Sequence, residues 1–340
     1  MTEGKIRVGF IVGNDADRVI QFNQDALVPV QGNNDADRVL DLCGEGRFDW
    51  TRLHIAPSYF RKARRWDTSK IDVLWNMVSD PDQNPETLRI IDRFTGELDI
   101  PLINPPQAVR QTRRHLIPGR LAGLESVRTP QTLLLRNPTL DRVRRRTEET
   151  GFQFPAILRR TGSHNGEVVG VFDTAAAIEG VYGDRRHEYY LTEFVDVRRL
   201  DGLYRKSRFF FIGDDVVVRQ HIVADAWNIH GGSSRDYMAK TPHLQDEARQ
   251  MLVGGFDALP AVTRAALQGI RTRIGLEYCG LDAYIDPDGG ILVFEANATM
   301  NFQPDFRNPK TQYNRASVAP AVAAVTKLLY AKLGSRATKT

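Results

Sequence analysis

Four oxygen-bearing side chains interrupt an apolar run near the end of the chain: Asp282, Glu295, Asn297 and Asn301, within GLDAYIDPDGGILVFEANATMN (280–301). The run reads as two strands around DPDGG, whose Pro and Gly suit a tight turn. Pairing about that turn brings Asp282 close to Glu295 or Asn297. Glu295 and Asn297 are two apart and share one face of their strand. Two carboxylates buried together need a compensating cation. A hard divalent ion such as magnesium takes oxygen ligands and bridges to phosphates. The turn lacks the spacing of a calcium-binding EF-hand loop. The plainer alternative is a solvated sheet edge with incidental acids, against which ILVFEAN reads as buried.

Other stretches carry polar residues at strand ends. FPAILRRTGSHNGEVVGVF (154–172) is a strand ending in Arg159 and Arg160, a small-residue loop, then another strand. Such a loop can turn its N–H groups toward phosphate, although plain turns look the same. It is not a Walker A loop, having no G-K-[ST] and no following helix. EYYLTEFVDV (188–197) is an apolar strand running to Glu193. YRKSRFFFIG (204–213) places Lys206 and Arg208 on one face of a strand. WNIHGGSS (227–234) is a glycine-rich loop carrying Asn228 and His230. A lone loop histidine is more often a hydrogen-bonded residue than a catalyst.

The elements that position these residues follow from pattern. With 340 residues, the chain is long enough for two or three lobes. It is 41% hydrophobic and 26% charged, an ordinary globular composition. KIRVGFIVG (5–13), KIDVLWNMV (70–78) and IPLINPP (100–106) read as strands, DADRVLDLC (35–43) and NPETLRIIDRF (84–94) as helices. The alternation implies a parallel α/β lobe over 1–110. Strands, a charged helix at 139–150 and a second helix at TAAAIEGVY imply a small α+β lobe over 111–192. A third lobe, 193–335, opens with a hairpin turning at GDD, and continues through helices at 243–253 and 259–273, the acid-bearing hairpin and a terminal helix near 316–333. NDADRV occurs at 14–19 and again at 34–39, too briefly to make a repeat architecture.

Charge and cysteine usage narrow the function classes. Forty-six basic and 42 acidic residues give a net charge of +4. Arginines cluster in RKARR (61–65), RQTRRH (110–115) and RVRRR (142–146), but lack the interleaved aromatics of a nucleic-acid surface. RVRRR reads as the solvated face of a helix. Cys43 and Cys279 cannot build a disulfide framework or a cysteine-rich zinc site, and Cys279 reads as a core residue. The N-terminus lacks a signal peptide's order, and no apolar run approaches the ~20 residues of a membrane helix. A cytoplasmic location is expected, with no membrane partner.

The order of these motifs resembles the ATP-grasp superfamily, specifically the carboxylate–amine ligases related to D-alanine–D-alanine ligase and the RimK-type ligases. The likeness runs from about 110 to 301, and FEANATMN with GLDAYID is its most specific part. It implies ATP bound between a central lid lobe and the C-terminal lobe, under the loop Thr161, Gly162, Ser163, His164 and Gly166. Glu193, Phe194 and Val195 match the segment that meets adenine, and Asp201 is placed for the ribose. Asp282, Glu295 and Asn297 match magnesium ligands; Lys206 and Arg208 match positions that meet phosphate. Asn228 and His230 face the same cleft, with open roles. Just beyond the metal motif, Met300, Asn301 and Phe302, and less directly Arg307 and Tyr313, are placed for the substrates, although the residues after 301 match no pattern of the family.

Two departures stand out. Arg159 and Arg114 (or Arg113) replace the family's usual nucleotide-binding lysines; arginine keeps the charge with a different geometry. Gly280 stands where D-alanine ligases carry an arginine, which argues against that substrate pair. The chemistry implied joins a carboxylate to an amine through an acyl phosphate, releasing ADP and phosphate. A small-molecule kinase or a non-catalytic nucleotide-binding regulator remains open, as does a homodimer.

Overall fold

The computed structural model describes residues 5–16, 32–44, 46–60, 66–163, 167–179, 187–229, 231–302 and 309–337. Three sheets organise them. The first is parallel, β1 (Ile6–Gly13), β2 (Phe48–Ile55), β3 (Val73–Asn76) and β4 (Leu102–Ile103), in the order β2-β1-β3-β4. Apart from Arg7 and Asn76, its central strands are apolar because both faces are covered. Val8, Phe10, Val12, Val73 and Trp75 pack with Val39 and Leu40 of the helix Ala36–Asp41. Ile11 and Leu74 pack with Leu88 and Ile91 of the helix Pro85–Gly96.

The two NDADRV copies do different work. Asp15 of the first caps the helix Pro85–Gly96, its carboxylate accepting from the N–H groups of Glu86 (2.9 Å) and Thr87 (2.7 Å). Asn84, the expected cap, makes no side-chain capping bond and instead accepts from the Asp15 N–H at 3.1 Å. The second copy is buried at Asn34, Asp35 and Asp37. Asn34 donates to the Ala298 carbonyl (3.2 Å), Asp35 accepts from the Phe302 N–H (2.8 Å), and Asp37 pairs with Arg52. The N-terminal lobe thereby anchors the chain just beyond Asn297. Residues 17–19 of the first copy lie outside the described residues.

In chain order β5 (Val127–Arg128) comes next, followed by the antiparallel second sheet: β6 (Thr132–Leu135), β7 (Ala156–Arg160), β8 (Gly170–Phe172) and β9 (Tyr189–Glu193), in the order β6-β9-β7-β8. The helix Leu140–Thr150 covers it, capped by Thr139 and stopped by Gly151 at φ 64°. Val143 is buried while Arg142, Arg144, Arg145 and Arg146 are exposed, so this arginine cluster is a solvated face as read.

The third sheet holds the acids. β10 (Tyr204–Ile212), β11 (Asp215–Ala224), β12 (Tyr278–Ile285) and β13 (Ile291–Asn297) pair antiparallel, and β5 joins β13 in parallel, giving β11-β10-β12-β13-β5. The turn between β12 and β13 is closed by Asp286, which accepts from the Gly290 N–H (2.7 Å), with Gly289 at φ +87°. One expected loop differs: after Asn228 the glycines open a helix, Gly231–Ala239, rather than continuing as coil. Polar, glycine-rich composition hid it, because its helical signal lies C-terminal to the glycines. A second expectation is corrected as well. The helical stretch Thr311–Gly334 is long and apolar enough, by length and composition alone, to cross a bilayer. Ala321, Ala324, Val325, Leu328 and Leu329 of its terminal helix, Val318–Ala337, are buried against the first and third sheets.

Behind the sheet, Ser207 Oγ meets His221 Nδ1 at 2.9 Å, His221 Nε2 meets Glu247 Oε1 at 3.1 Å, and Arg205 Nε donates to Glu247 at 2.7 Å. Ser207 and His221 are buried, so this chain of bonds has no substrate access; it ties the helix Pro242–Gly254 to β10 and β11. The His221 hydrogen bond, then Arg205, hold the Glu247 carboxyl at about 2 against opposing burial. A carboxylate with a lowered folded pKa contributes stability above its unfolded pKa and loses it as pH falls through the folded value. Glu247→Gln is therefore expected to lower the melting temperature at pH 7. The gap to wild type should narrow between pH 4.5 and 2 in a thermal-denaturation series, and a pH-independent gap would refute this account.

Candidate functional site

Asp282, Glu295 and Arg208 sit side by side because their strands are in register: Arg208 pairs with Asp282, and Asp282 with Glu295. A β-bulge makes this possible. Ala283 pairs with Val293 while Asp282 pairs with Glu295, leaving Phe294 as the extra residue. The bulge resets the alternation and turns Glu295 to the face of Asp282. Of the two partners the turn allowed for Asp282, the structure selects Glu295.

Each carboxylate has its own cations. Asp282 is buried and held by Arg208 through two bonds (Nε–Oδ1 2.7 Å, Nη2–Oδ2 2.9 Å), with Lys206 Nζ at 3.0 Å. Burial pushes its carboxyl up, but Arg208 and Lys206 outweigh this and hold it well below the usual range. Lys206 also donates to the Ile229 carbonyl (3.1 Å), drawing the Asn228–Ile229 stretch toward the site. Glu295 receives Arg114 Nη2 and, at 2.6 Å, Asn297 Nδ2. Its carboxyl is likewise held down, the charges of Arg114 and Arg159 exceeding the effect of burial.

Arg159 differs from these. It is half-buried near the end of β7, and its side chain makes no hydrogen bond or ion pair among the described residues. Desolvation, with Arg114 beside it, lowers its guanidinium to about 10, only partly countered by Glu295. A desolvated cation without a partner is unfavourable. Two partly open pockets lie nearby, both lined by Thr112, Arg114, Glu295 and Asn297 and neither by Arg159 itself.

The lid lobe is tied down over this cleft. Tyr190 donates to Asp82 (2.7 Å), Arg113 bridges Asp82 (2.7 Å) and Glu188 (3.2 Å), and Gln83 Nε2 donates to the Gly162 carbonyl. Of the two candidate arginines, Arg114 enters the cleft and Arg113 joins the lobes. Gly162 is at φ +69°, and a Cβ there would lie 2.9 Å from Gln83 Cγ, so glycine suits both the turn and the approach.

The remaining expected residues divide. The Thr161 N–H donates to Glu188 O (3.0 Å), and Ser163 Oγ donates to the Arg160 carbonyl (2.7 Å). The Glu193 carboxylate is turned onto the lid's own backbone, accepting from the N–H groups of Gln131 (3.1 Å) and Gln153 (2.8 Å). Phe194 packs edge-on against Trp227, and Val195 is half-buried. Asp201 is paired with Arg205 at 2.7 Å, away from the carboxylate pair. Met300 is buried core and Asn301 half-buried. His164, Gly166, His230 and Arg307 lie outside the described residues. Asp82, Tyr190 and Gln83 were not singled out, since their pairing depends on how two lobes meet.

Gly280 has a physical cause. A Cβ built there would lie 2.4 Å from Met300 Cβ and 2.6 Å from its sulfur. Gly280→Ala is therefore expected to destabilise the chain by about 1–3 kcal/mol, read as a lower denaturation midpoint. Gly280→Ala should cost less in a Met300→Gly background, which removes the crowding Cβ and sulfur together; an equal cost there would discard the packing account.

The donor set suits a divalent cation by type: two ionised carboxylates and an amide, all hard oxygen ligands. Among the described residues no three His, Cys, Asp or Glu side chains cluster to hold a metal. Asn297 Oδ1 accepts from the N–H groups of Thr299 and Met300, both at 3.0 Å, and both Asp282 oxygens are taken by cations. The residues fit such an ion once these partners are exchanged.

No family model matches this sequence, and no curated protein does. Solved structures do. The VanG D-Ala:D-Ser ligase of Enterococcus faecalis is 14% identical with a TM-score of 0.54, covering 96% of this chain and 100% of that one. The D-alanine–D-alanine ligase of Bacillus anthracis is 12% identical with a TM-score of 0.53, covering 98% and 100%. A RimK domain ATP-grasp protein of Sphaerobacter thermophilus is 11% identical with a TM-score of 0.50, covering 95% and 99%. At this identity the likeness concerns the fold. With its sheets and the cleft between them, the chain has the ATP-grasp fold.

Proposed function

We propose that this protein is an ATP- and magnesium-dependent ligase that joins a carboxylate to an amine, with its lobes divided at 1–110, 111–192 and 193–335. The observation that carries the reading is Arg159, a desolvated cation whose side chain has no partner among the described residues, beside Arg114 and the Asp282–Glu295 pair. An anion bearing several oxygens satisfies Arg159 and draws Arg114 from Glu295. The ligases of this fold support the reading by analogy.

In this mechanism a carboxylate oxygen of one substrate attacks the γ-phosphorus of ATP, and the bond to ADP breaks. The amine of the second substrate then attacks the acyl carbon. Phosphate leaves and the amine gives up a proton. Asp282 and Glu295, with Asn297, would hold magnesium, which when bound supplies neutralisation of phosphate charge. Arg114 and Arg159 grip phosphate oxygens. Lys206 and Arg208 lie beside Asp282, where they offset the charge of the acyl phosphate. The tie of Tyr190 and Arg113 to Asp82 holds the lid lobe over the cleft and keeps water from that intermediate.

The test is a mass-spectrometric screen with ATP, magnesium, pooled amino acids and small carboxylic acids, with ADP and phosphate read in parallel. A product equal to donor plus acceptor minus water, with matching ADP and phosphate, is the expected result. A phosphorylated product would replace the ligase by a kinase. ATP binding without turnover on any pool would favour a nucleotide-binding regulator.

A further inference from the structure

Asp282 and Glu295 hold the cations of the cleft, and hold them unequally. β10 turns Lys206 and Arg208 to the face of Asp282, while Ser207 between them points away to His221. Arg208 grips both Asp282 oxygens as a fork, and Lys206 Nζ adds a third contact at 3.0 Å to Oδ2. Asp282 is 4% exposed, so these contacts enclose its carboxylate. Glu295 is engaged on one side. Arg114 and Asn297 Nδ2 both donate to its Oε1, and Oε2 accepts no hydrogen bond among the described residues.

Three cations thus stand on two carboxylates. The acids next to them have their own donors. Asp35 accepts from the Phe302 N–H, and Asp82 is held by Arg113 and Tyr190. A surplus of positive charge in a cleft draws a polyanion and repels a free divalent cation. A hard ion such as magnesium also needs carboxylate oxygens within about 2.0–2.1 Å, an approach that an ammonium on the same oxygen obstructs.

The two partners of Asp282 differ in how firmly they are held. Arg208 is fixed by its planar two-bond fork. Lys206 meets Asp282 through one ammonium on a flexible stem, shared with the Ile229 carbonyl at 3.1 Å. Lys206 is therefore the partner that a phosphate oxygen can draw off. Once it leaves, Oδ2 keeps Arg208 on one lone pair and offers the other. A buried carboxylate that loses a cation is left undercompensated, and another cation restores the balance.

We propose that Lys206 is a built-in counter-ion that keeps free divalent cations off Asp282 until nucleotide phosphate draws its ammonium away. The site then takes metal together with nucleotide rather than metal alone. The part played by nucleotide rests on the ligase reading; the hold of Lys206 on Asp282 does not. The consequence is a gain of binding, because deleting the ammonium opens to metal a carboxylate that the wild type closes.

The test titrates Mn2+ alone into the full chain, read by water-proton relaxation, and repeats the titration with AMP-PNP. Wild type without nucleotide is expected to bind Mn2+ weakly. Lys206→Met should bind it about tenfold tighter or more, the scale of losing a like charge near the ion. Lys206→Arg should behave as wild type, and Arg208→Gln provides a second variant with the same expected gain. Adding Asp282→Asn to Lys206→Met should abolish the gain, which assigns it to this carboxylate. Binding as tight in nucleotide-free wild type as in Lys206→Met overturns the proposal, and so does a gain that survives Asp282→Asn. If wild type takes Mn2+ with AMP-PNP through Asp282 while Lys206→Met gains nothing, the counter-ion falls and the ligase reading stands. If Lys206→Met gains Mn2+ but AMP-PNP brings none to wild type, the counter-ion stands and the ligase reading falls.

Discussion

Glu295→Gln is expected to lower turnover by about a thousandfold while leaving the chain folded, an effect on the scale of losing one charged group from a site that stabilises developing charge. The carboxylate is ionised because Arg114 and Arg159 outweigh its burial, so the substitution deletes a full negative charge from the cleft. Glutamine keeps the volume and can still accept from Arg114 and Asn297, which protects the packing. Nucleotide affinity without magnesium should stay level or rise, because two arginines are left with less opposing charge. Calorimetry with ATP, beside an ADP-release assay, reads both quantities. Near-normal activity in Glu295→Gln would mean that the Asp282–Glu295 pair is not where the chemistry occurs.

The second large effect is expected at Arg159, and its two parts have opposite signs. Methionine there keeps much of the stem's contact and removes a desolvated charge that meets no acid directly. The nucleotide-free protein should therefore melt at a higher temperature than wild type. The stabilisation that ATP confers should largely disappear, with affinity weaker by about tenfold to a hundredfold, the range of a lost charged hydrogen bond. Melting curves with and without ATP report both. A lower melting temperature without ATP would show that Arg159 has a structural task within the lid lobe.

Much of the site was legible in the sequence because it is local in register. Asp282 and the Glu295–Asn297 pair lie either side of a tight turn, so hairpin pairing brings Asp282 near one or other of them. Lys206 and Arg208 share a face because they are two apart on a strand, and both reach Asp282. The alternation of strands and helices over 5–103 likewise announced a parallel sheet, since buried parallel strands must be apolar on both faces. The helix Gly231–Ala239 was not legible, because its opening glycines carry the composition of a loop. Asp15 as the cap of a helix 71 residues away could not be read either, since local spacing has no access to such a pair.

By itself, the sequence determined the hairpin, the identity of its acids, the strand bearing their basic partners and the layered character of the lobes. These depend on backbone periodicity and turn chemistry, which act over a few residues. Tertiary structure alone decided the rest. It chose Glu295 over Asn297 as the partner of Asp282 through a bulge at Phe294. It sent Arg114 into the cleft and Arg113 to Asp82, although the two are neighbours in the chain. It set Met300 against Gly280. Electrostatic and packing energies act through space, so the partner of a charge is settled only when the lobes meet.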